Sequence, residues 1–299
     1  MNKIKLKGGL EISRIVCGHW RLAEWNLNTQ ELARLTEQTI ELGVTTFDHA
    51  DIYGNYSCER LFGNALRLNT GLRKQLQIVT KCGIKLATDK FPERKLKVYD
   101  YSYNHIVTSV ENSLKNLNTD YIDLLLLHRP APFFDPEEVA RAFSDLKKTG
   151  KVLHFGVSNF TSMQFSMLDA HVDEPLVTNQ VEISPYCLEH FENGNMDFFL
   201  KEGIKPMAWS PLAGGSIFNP KDEKGHRVLQ ALKVVAKEKG TSPDAIAYAW
   251  LLNHPTRIIP ITGTSKLDRM KAAVNALTVQ LDLEHWYSIY NASTGQQLP

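Results

Sequence analysis

The chain has 299 residues, of which 43% are hydrophobic, and its 34 basic and 33 acidic side chains leave a formal net charge of +1. This balance excludes the strongly basic surface that is typical of nucleic-acid-binding proteins. The longest aliphatic run, Leu124 to Leu127, is far too short to cross a bilayer. We therefore expect a protein that binds neither nucleic acid nor membrane.

The four cysteines, Cys17, Cys58, Cys82 and Cys187, are widely separated in the sequence. Such spacing is typical of a reducing compartment and argues against a disulfide framework or a zinc site. The basic N-terminal stretch is not followed by the apolar segment of a signal peptide. These features predict a cytoplasmic protein without a bound metal.

The predicted elements begin with a hairpin and continue with helices that have clear end signals. Residues 4–13 alternate apolar and polar side chains around Gly8-Gly9, which predicts a two-residue hairpin turn. Asn28 and Glu31 resemble a capping box, and Gly43 ends the helix that they open. Further helices are predicted near residues 57–66, 106–117, 135–149, from 161, at 226–239, 243–253, from 265 and at 283–290.

Eight short strands are predicted between these helices, at residues 15–17, 45–48, 76–80, 122–127, 152–157, 176–181, 205–209 and 257–260. Strands that alternate with helices predict parallel β/α units, and eight such units close a (β/α)8 barrel. A doubly wound open sheet is the alternative, but residues 18–22 lack its G-x-G-x-x-G fingerprint. No linker divides the chain, so we expect one α/β TIM barrel domain over residues 1–299.

Polar and titratable side chains stand where several of these strands end, namely Asp48, Lys81, His128, Ser158, Asn159, Gln180, Trp209 and Ser210. The segment 45–54 is the richest, since it also contains His49, Asp51 and Tyr53. In a (β/α)8 barrel the carboxyl ends of all strands meet at one mouth, where active sites lie. We therefore expect these side chains to share one pocket.

Two possible uses of this set are a metal site and a Schiff base. His49 and Asp51 could bind zinc together with His128, but too few further ligands follow the other strands. Lys81 could form a Schiff base, as in aldolases. Asp48 beside it would oppose the lowered pKa that a Schiff-base lysine needs.

A third use is proton donation by Tyr53. A phenol has a pKa of about 10, too high for an efficient acid near neutrality. A neighbouring Lys81 ammonium would lower that pKa, and Asp48 would keep the lysine charged and oriented. A histidine such as His128 could position the carbonyl oxygen that receives the proton.

Six motifs connect this third use to a known family: Phe47–Gly54, Thr80-Lys81, Leu127–Pro130, Gly156–Phe160, Asn179–Glu182 and Trp209–Leu212. In this order they resemble the aldo-keto reductase family, and most closely its bacterial and potassium-channel-subunit branch. The resemblance implies a (β/α)8 barrel whose bottom is closed by an N-terminal β-hairpin. It also implies a catalytic tetrad of Asp48, Tyr53, Lys81 and His128, with Tyr53 as the proton donor.

The same resemblance implies a nicotinamide dinucleotide held without a Rossmann domain. Ser158, Asn159 and Gln180 would hydrogen-bond the nicotinamide amide, and Trp209 would lie against its ring. The loop that covers the pyrophosphate in the family would here comprise Ser210, Pro211, Leu212, Gly214 and Gly215.

The start of the last barrel helix is a predicted phosphate site. Gly263, Thr264 and Ser265 are expected to open this helix, where free N–H groups and the helix dipole favour an anion. Lys266 and Arg269 add positive charge. By resemblance Arg269 matches the arginine that grips the 2′-phosphate, which favours NADP (NADPH) over NADH.

The substrate end of the pocket is less well defined by the sequence. Trp20, Arg21, Trp25 and the segment 84–101 would line its mouth, and the tail at 291–299 is a candidate to cover it. Arg21 could attract an anionic group or form a structural salt bridge. At the adenine end, Ala272 and Ala273 replace the Glu and Asn of most members, so weaker adenine contacts are expected.

These observations predict an NADPH-dependent reductase of aldehydes or ketones that acts on a small-molecule carbonyl substrate as a monomer or weak oligomer. One alternative is an NADP-binding sensor or channel-type regulatory subunit with vestigial turnover. The other is a Schiff-base aldolase that uses Lys81.

Overall fold

The computed structural model describes residues 3–298, and the chain begins there with a hairpin. Strands β1 (Lys3–Lys5) and β2 (Glu11–Ser13) pair antiparallel around a 3-10 turn at Lys7–Gly9. Both glycines of the turn have positive φ, 73° and 92°. The predicted hairpin is therefore present, but five residues, 6–10, separate its strands instead of the predicted two.

Eight parallel strands then form a closed barrel: β3 (Val16–Gly18), β4 (Thr46–Asp48), β5 (Gln77–Cys82), β8 (Ile122–Leu127), β9 (Val152–Ser158), β10 (Leu176–Glu182), β11 (Met207–Trp209) and β12 (Ile259–Thr262). Two short strands, β6 (Ile84–Lys85) and β7 (Val98–Tyr99), pair antiparallel outside it. Because β12 pairs with β3, the barrel prediction is confirmed and the open sheet is wrong. The last strand begins two residues later than predicted, since Arg257 has a positive φ of 58°.

The helices are α1 (Thr29–Glu41), α2 (Tyr53–Tyr56), α3 (Cys58–Leu68), α4 (Tyr103–Leu117), α5 (Pro136–Lys148), α6 (Ser162–Asp169), α7 (Glu189–Glu192), α8 (Asn195–Glu202), α9 (Glu223–Glu238), α10 (Pro243–Leu252), α11 (Leu267–Asn275) and α12 (Leu283–Thr294). The capping box of Asn28 and Glu31 is confirmed. Ser265 does not cap α11, because the N-cap is Lys266, whose N–H binds Thr264 Oγ1 at 3.0 Å. Within residues 3–298, no helix is long and apolar enough to span a membrane.

The barrel interior and the hairpin form one buried apolar cluster. Strand residues such as Val79 and Leu126 pack there with Ile4 and Ile12 of the hairpin, which closes the bottom of the barrel as predicted. Asp48 pairs across the sheet with Val79. Side chains two apart on a strand share a face, so Lys81 points to the same interior as Val79.

Candidate active site

A cavity of about 980 Å³ opens at the carboxyl ends of the strands. It is lined by most of the predicted site residues: Trp20, Arg21, Asp48, Tyr53, His128, Ser158, Asn159, Gln180, Trp209, Ser210, Pro211, Leu212, Gly214, Gly263, Thr264 and Arg269. Lys81 lies beneath its floor and is only 1% exposed. Pockets of this size are typical of cofactor and substrate sites.

Lys81 Nζ is the centre of the polar cluster below the cavity. It donates to both carboxylate oxygens of Asp48 at 2.8 Å, to His49 O at 2.7 Å and to Tyr53 Oη at 3.0 Å. A buried charge is tolerated when it is paired and hydrogen-bonded in this way. The phenol oxygen accepts from Lys81, so its own hydrogen is free to point into the cavity.

The turn after β4 places Tyr53 above Lys81. Tyr53 N donates to Ala50 O at 3.1 Å, and Gly54 and Asn55 then adopt left-handed conformations with φ of 56° and 52°. A Cβ on Gly54 would lie 2.6 Å from Cys58 Sγ. Only glycine satisfies both the backbone angle and this close approach.

Opposing effects act on the pKa of Tyr53. Burial raises it and the Lys81 ammonium lowers it, and the net direction is upward from 10.0. The expected contribution of Lys81 is present, but the prediction of a net lowering is wrong because burial is the larger effect. Burial lowers the pKa of Lys81, yet Asp48 and Tyr53 together raise it above 10.5, so this lysine is charged at neutral pH.

His128 stands beside Tyr53 with its ring edge-on, the two centroids 5.8 Å apart. Burial, reinforced by Lys81 and Arg129, places the pKa of His128 well below 6.5, so the ring is neutral. Within residues 3–298, its Nδ1 has no hydrogen-bond partner. The backbone is held by Asn159, whose Nδ2 donates to His128 O at 3.2 Å.

The residues expected at the nicotinamide form a connected network. Gln180 Nε2 donates to Asp48 Oδ1 at 2.8 Å, while Ser158 Oγ donates to Gln180 O at 2.8 Å. Trp209 Nε1 donates to Asn159 Oδ1 at 3.0 Å. These bonds fix the side chains around the cavity before any ligand is bound.

For His49 and Asp51 the sequence favours a supporting role in or behind the pocket wall over a catalytic one, and neither residue lines the cavity. His49 Nε2 and His19 Nδ1 are 3.0 Å apart, and both rings are almost fully buried. Burial, followed by the charge of Glu59, raises the pKa of Asp51 well above 3.8. Over the described part of the chain, no group of three or more His, Cys, Asp or Glu side chains is arranged to hold a metal ion.

The profile of the aldo/keto reductase family matches residues 14–293. The chain belongs to the aldo/keto reductase family. It is 50% identical to the Bacillus subtilis oxidoreductase YcsN and 40% identical to a 6-dehydroglucose reductase of Agrobacterium fabrum, with 100% of each chain covered in both cases.

Two solved structures share the fold of this aldo/keto reductase. A thermostable aldo-keto reductase crystallised with the inhibitor epalrestat superposes with a TM-score of 0.82 at 26% identity, over 98% of this chain and 100% of that one. A Klebsiella pneumoniae aldo/keto reductase in complex with NADP and acetate has a TM-score of 0.78 at 22% identity, over 96% and 94% of the two chains.

At the predicted phosphate end of this aldo/keto reductase, the backbone is open to the cavity. Gly214 and Gly215 have positive φ, and no atom lies within 4 Å of where a Cβ would be. Thr264 and Arg269 line the cavity, whereas Ser265 and Lys266 do not.

The mouth of the cavity differs from the prediction in two places. Trp25 does not line it, because its ring packs edge-on against buried His19 at 5.5 Å. The tail up to residue 298 does not line it either, and Arg227 of α9 holds α12 through a 3.1 Å bond to Ala292 O. Within the described residues Arg21 forms no salt bridge, and its guanidinium lies 5.8 Å from the Trp20 ring centroid.

Lys97 and Arg129 also line the cavity. Lys97 lies in the segment 84–101 that was expected at the mouth, and Ile84 and Leu86 of that segment line the cavity too, whereas no role was predicted for Arg129. Arg129 directly follows His128 in the motif Leu127–Pro130, and this adjacency was the available signal. Lys97 lies in the loop between β6 and β7, where no local pattern distinguishes it from the other lysines.

Proposed function

We propose that this aldo/keto reductase reduces aldehydes or ketones with NADPH, and that Tyr53 donates the proton. The observation that carries the proposal is the Lys81 ammonium at the floor of the cavity, within hydrogen-bonding distance of both Asp48 and Tyr53. A Schiff-base role for Lys81 is disfavoured, because that chemistry needs a neutral amine and the pKa of Lys81 is raised.

The residues around the cavity fit a nicotinamide cofactor. Within residues 3–298, Gln180 Oε1 accepts no hydrogen bond, and Gln180 lines the cavity, so this oxygen is available to a carboxamide N–H. Trp209 offers a flat apolar surface beside it, and Arg269 offers a fork of donors for a phosphate. When bound, NADPH supplies the hydride for the carbonyl carbon. NADP in the Klebsiella structure of the same fold supports this assignment.

His128 and Tyr53 would act on the carbonyl oxygen. The neutral His128 ring donates a hydrogen bond to that oxygen and holds it above the phenol. Tyr53 then transfers its proton as negative charge develops there. Lys81 stabilises the resulting phenolate through its bond to Tyr53 Oη, and Asp48 keeps the ammonium in place.

The relative from Agrobacterium fabrum suggests one class of test substrate, since it is a 6-dehydroglucose reductase at 40% identity. Aldehydes derived from sugars therefore belong in the first substrate panel, beside simple aromatic and aliphatic aldehydes. Turnover is followed by the loss of NADPH absorbance, with NADH as the comparison.

Substitution of Tyr53 by Phe tests the proposed proton donor. Tyr53→Phe removes only the hydroxyl, so reduction should fall by at least about a hundredfold, the lower range for loss of a general acid. NADPH binding, measured by quenching of protein fluorescence, should be unchanged. Wild-type turnover in this variant would show that Tyr53 is not the acid, and no fluorescence quenching in the wild type would contradict the cofactor assignment.

A further inference from the structure

Two cations at the cavity mouth, Lys97 and Arg129, have no carboxylate partner among residues 3–298. Neither forms a salt bridge there. Their charges contact aromatic rings instead: Lys97 Nζ lies 5.5 Å from the Tyr99 ring centroid, and Arg129 Cζ lies 5.8 Å from that of Trp209. Both side chains are exposed and line the cavity, so their donors are available to a ligand.

The backbone of Arg129 is held rigidly beneath its exposed side chain. Arg129 N donates to Tyr101 Oη at 3.0 Å, and the same hydroxyl donates to Arg129 O at 2.5 Å. Tyr101 is only 4% exposed. Because this backbone is already ordered at the cavity mouth, less conformational entropy is lost when a ligand binds the guanidinium.

The two cations are close to the predicted reacting centre. Both charges contribute to the lowered pKa of His128, the residue expected to bind the carbonyl oxygen. Arg129 also approaches Trp209, where the nicotinamide is expected. Because all three side chains line one cavity, a substrate whose carbonyl rests on His128 would share that cavity with both cations.

The cofactor phosphates do not account for the two cations. Arg129 follows β8 and Lys97 lies between β6 and β7, whereas the predicted phosphate site follows β11 and β12. Arg129 approaches the β11 end only at Trp209, where the nicotinamide and not a phosphate is expected. Glu182, an acidic neighbour of Arg129, does not pair with it either. Glu182 is close enough for Arg129 to lower its pKa, but burial has the larger effect and raises it, and no salt bridge forms between the two.

We propose that Arg129 and Lys97 form a substrate subsite for an anionic group, a carboxylate or phosphate carried by the molecule whose carbonyl is reduced. This inference rests on the proposed reductase function and names its substrate class. The planar guanidinium binds two oxygens of such a group at once, and the ammonium adds a point charge.

A matched pair of aldehydes tests the subsite. 4-Carboxybenzaldehyde carries the anion, and methyl 4-formylbenzoate is its neutral ester. We expect wild-type kcat/KM to favour the acid by at least about tenfold at low ionic strength, and the ratio to fall as salt screens the exposed charges. In the double variant Arg129→Gln/Lys97→Gln the acid-to-ester ratio should fall to near one.

Two further variants separate charge from nonspecific damage. Arg129→Lys keeps the positive charge but loses the planar pair of donors, so it should retain part of the preference for the acid over the ester. Lys95→Gln removes an exposed lysine of the same loop that does not line the cavity, and should change neither rate nor ratio. An unaltered ratio in the double variant, or a wild-type preference for the ester, would overturn the subsite.

A binding measurement keeps the subsite separate from the proposed reductase function. 4-Carbamoylbenzoate, which carries one carboxylate, and its neutral methyl ester, methyl 4-carbamoylbenzoate, are titrated by calorimetry into Tyr53→Phe protein saturated with NADP, with and without the double substitution. Tighter binding of the carboxylate than of its ester supports the subsite if the double substitution abolishes the difference, even if neither aldehyde is reduced. Equal binding of the two compounds contradicts it, whatever the turnover.

Discussion

At the scale of single residues, Tyr53 shows how burial and a neighbouring charge share control of one proton. The ammonium of Lys81 donates to the phenol oxygen, which leaves the phenol hydrogen for a substrate. Burial nevertheless keeps the pKa of Tyr53 above its ordinary value. In the proposed reduction Lys81 would therefore stabilise the phenolate as it forms, without ionising Tyr53 beforehand.

The pH dependence of reduction follows from the directions in which the pKa values of Tyr53 and His128 are shifted. The proposed mechanism requires a protonated Tyr53, whose pKa lies above 10.0, and a neutral His128, whose pKa lies well below 6.5. We expect kcat/KM to stay flat between about pH 6.5 and about pH 10, with a loss of activity only outside these limits. Stopped-flow or steady-state assays with one aldehyde across this range measure it. A basic limb centred near pH 8 would contradict the assignment of Tyr53.

At the scale of elements, the loop that follows β5 is positioned by one close contact. Gly83 has a φ of 106°, and a Cβ there would lie 1.9 Å from Cε1 of the Tyr101 ring. Tyr101 in turn holds the backbone of Arg129 through its hydroxyl. Gly83 therefore connects β5 to the start of the β8–α5 loop through a single tyrosine.

Gly83→Ala should destabilise the protein and disturb the cavity together. The added methyl group must displace Tyr101, so we expect the free energy of unfolding to fall by about 3 kcal/mol and reduction to slow. Gly150→Ala is the matched control, because Gly150 also has a positive φ of 71° but no atom within 4 Å of its Cβ position. That variant should lose only about 1 kcal/mol and keep its activity. Urea denaturation of the two variants measures the difference, and equal losses would refute the Tyr101 contact.

Local patterns explain which parts of this arrangement the sequence predicted. The site could be predicted from the strand ends because most of the buried strands end at or directly before a polar residue, and parallel strands bring those ends together. The contact of Tyr101 with Arg129 joins residues 28 positions apart through one hydroxyl, and no periodicity marks it. Trp25 was misplaced for a related reason, because the buried His19 that it packs against has no signature of burial in the sequence. The predicted N-cap of α11, Ser265, was wrong because a serine is a common N-cap but the helix begins after Lys266, whose side chain makes no capping bond.

At the scale of the whole molecule, the barrel depends on the closure of its last strand against its first. Arg14, just before β3, is 7% exposed and reaches across this seam. Its Nη1 donates to Arg257 O at 2.9 Å and to Ile258 O at 3.1 Å, and its Nη2 donates to Leu252 O at 3.2 Å. Burial, followed by the charge of Arg257, lowers the pKa of Arg14 to about 10, so it is charged at neutral pH.

Loss of this guanidinium should weaken the closed barrel without altering the chemistry at its mouth. Arg14→Met leaves three backbone carbonyls without their donor, and we expect the free energy of unfolding to fall by about 3 kcal/mol. Arg14→Lys should recover only part of that loss, because one ammonium does not reach all three carbonyl oxygens as the planar guanidinium does. Arg34→Met, on the exposed face of α1, is the control and should be close to neutral. Urea denaturation and kcat of the folded variants test this together: a loss no larger than that of Arg34→Met would show that the seam is held by its strand pairing alone.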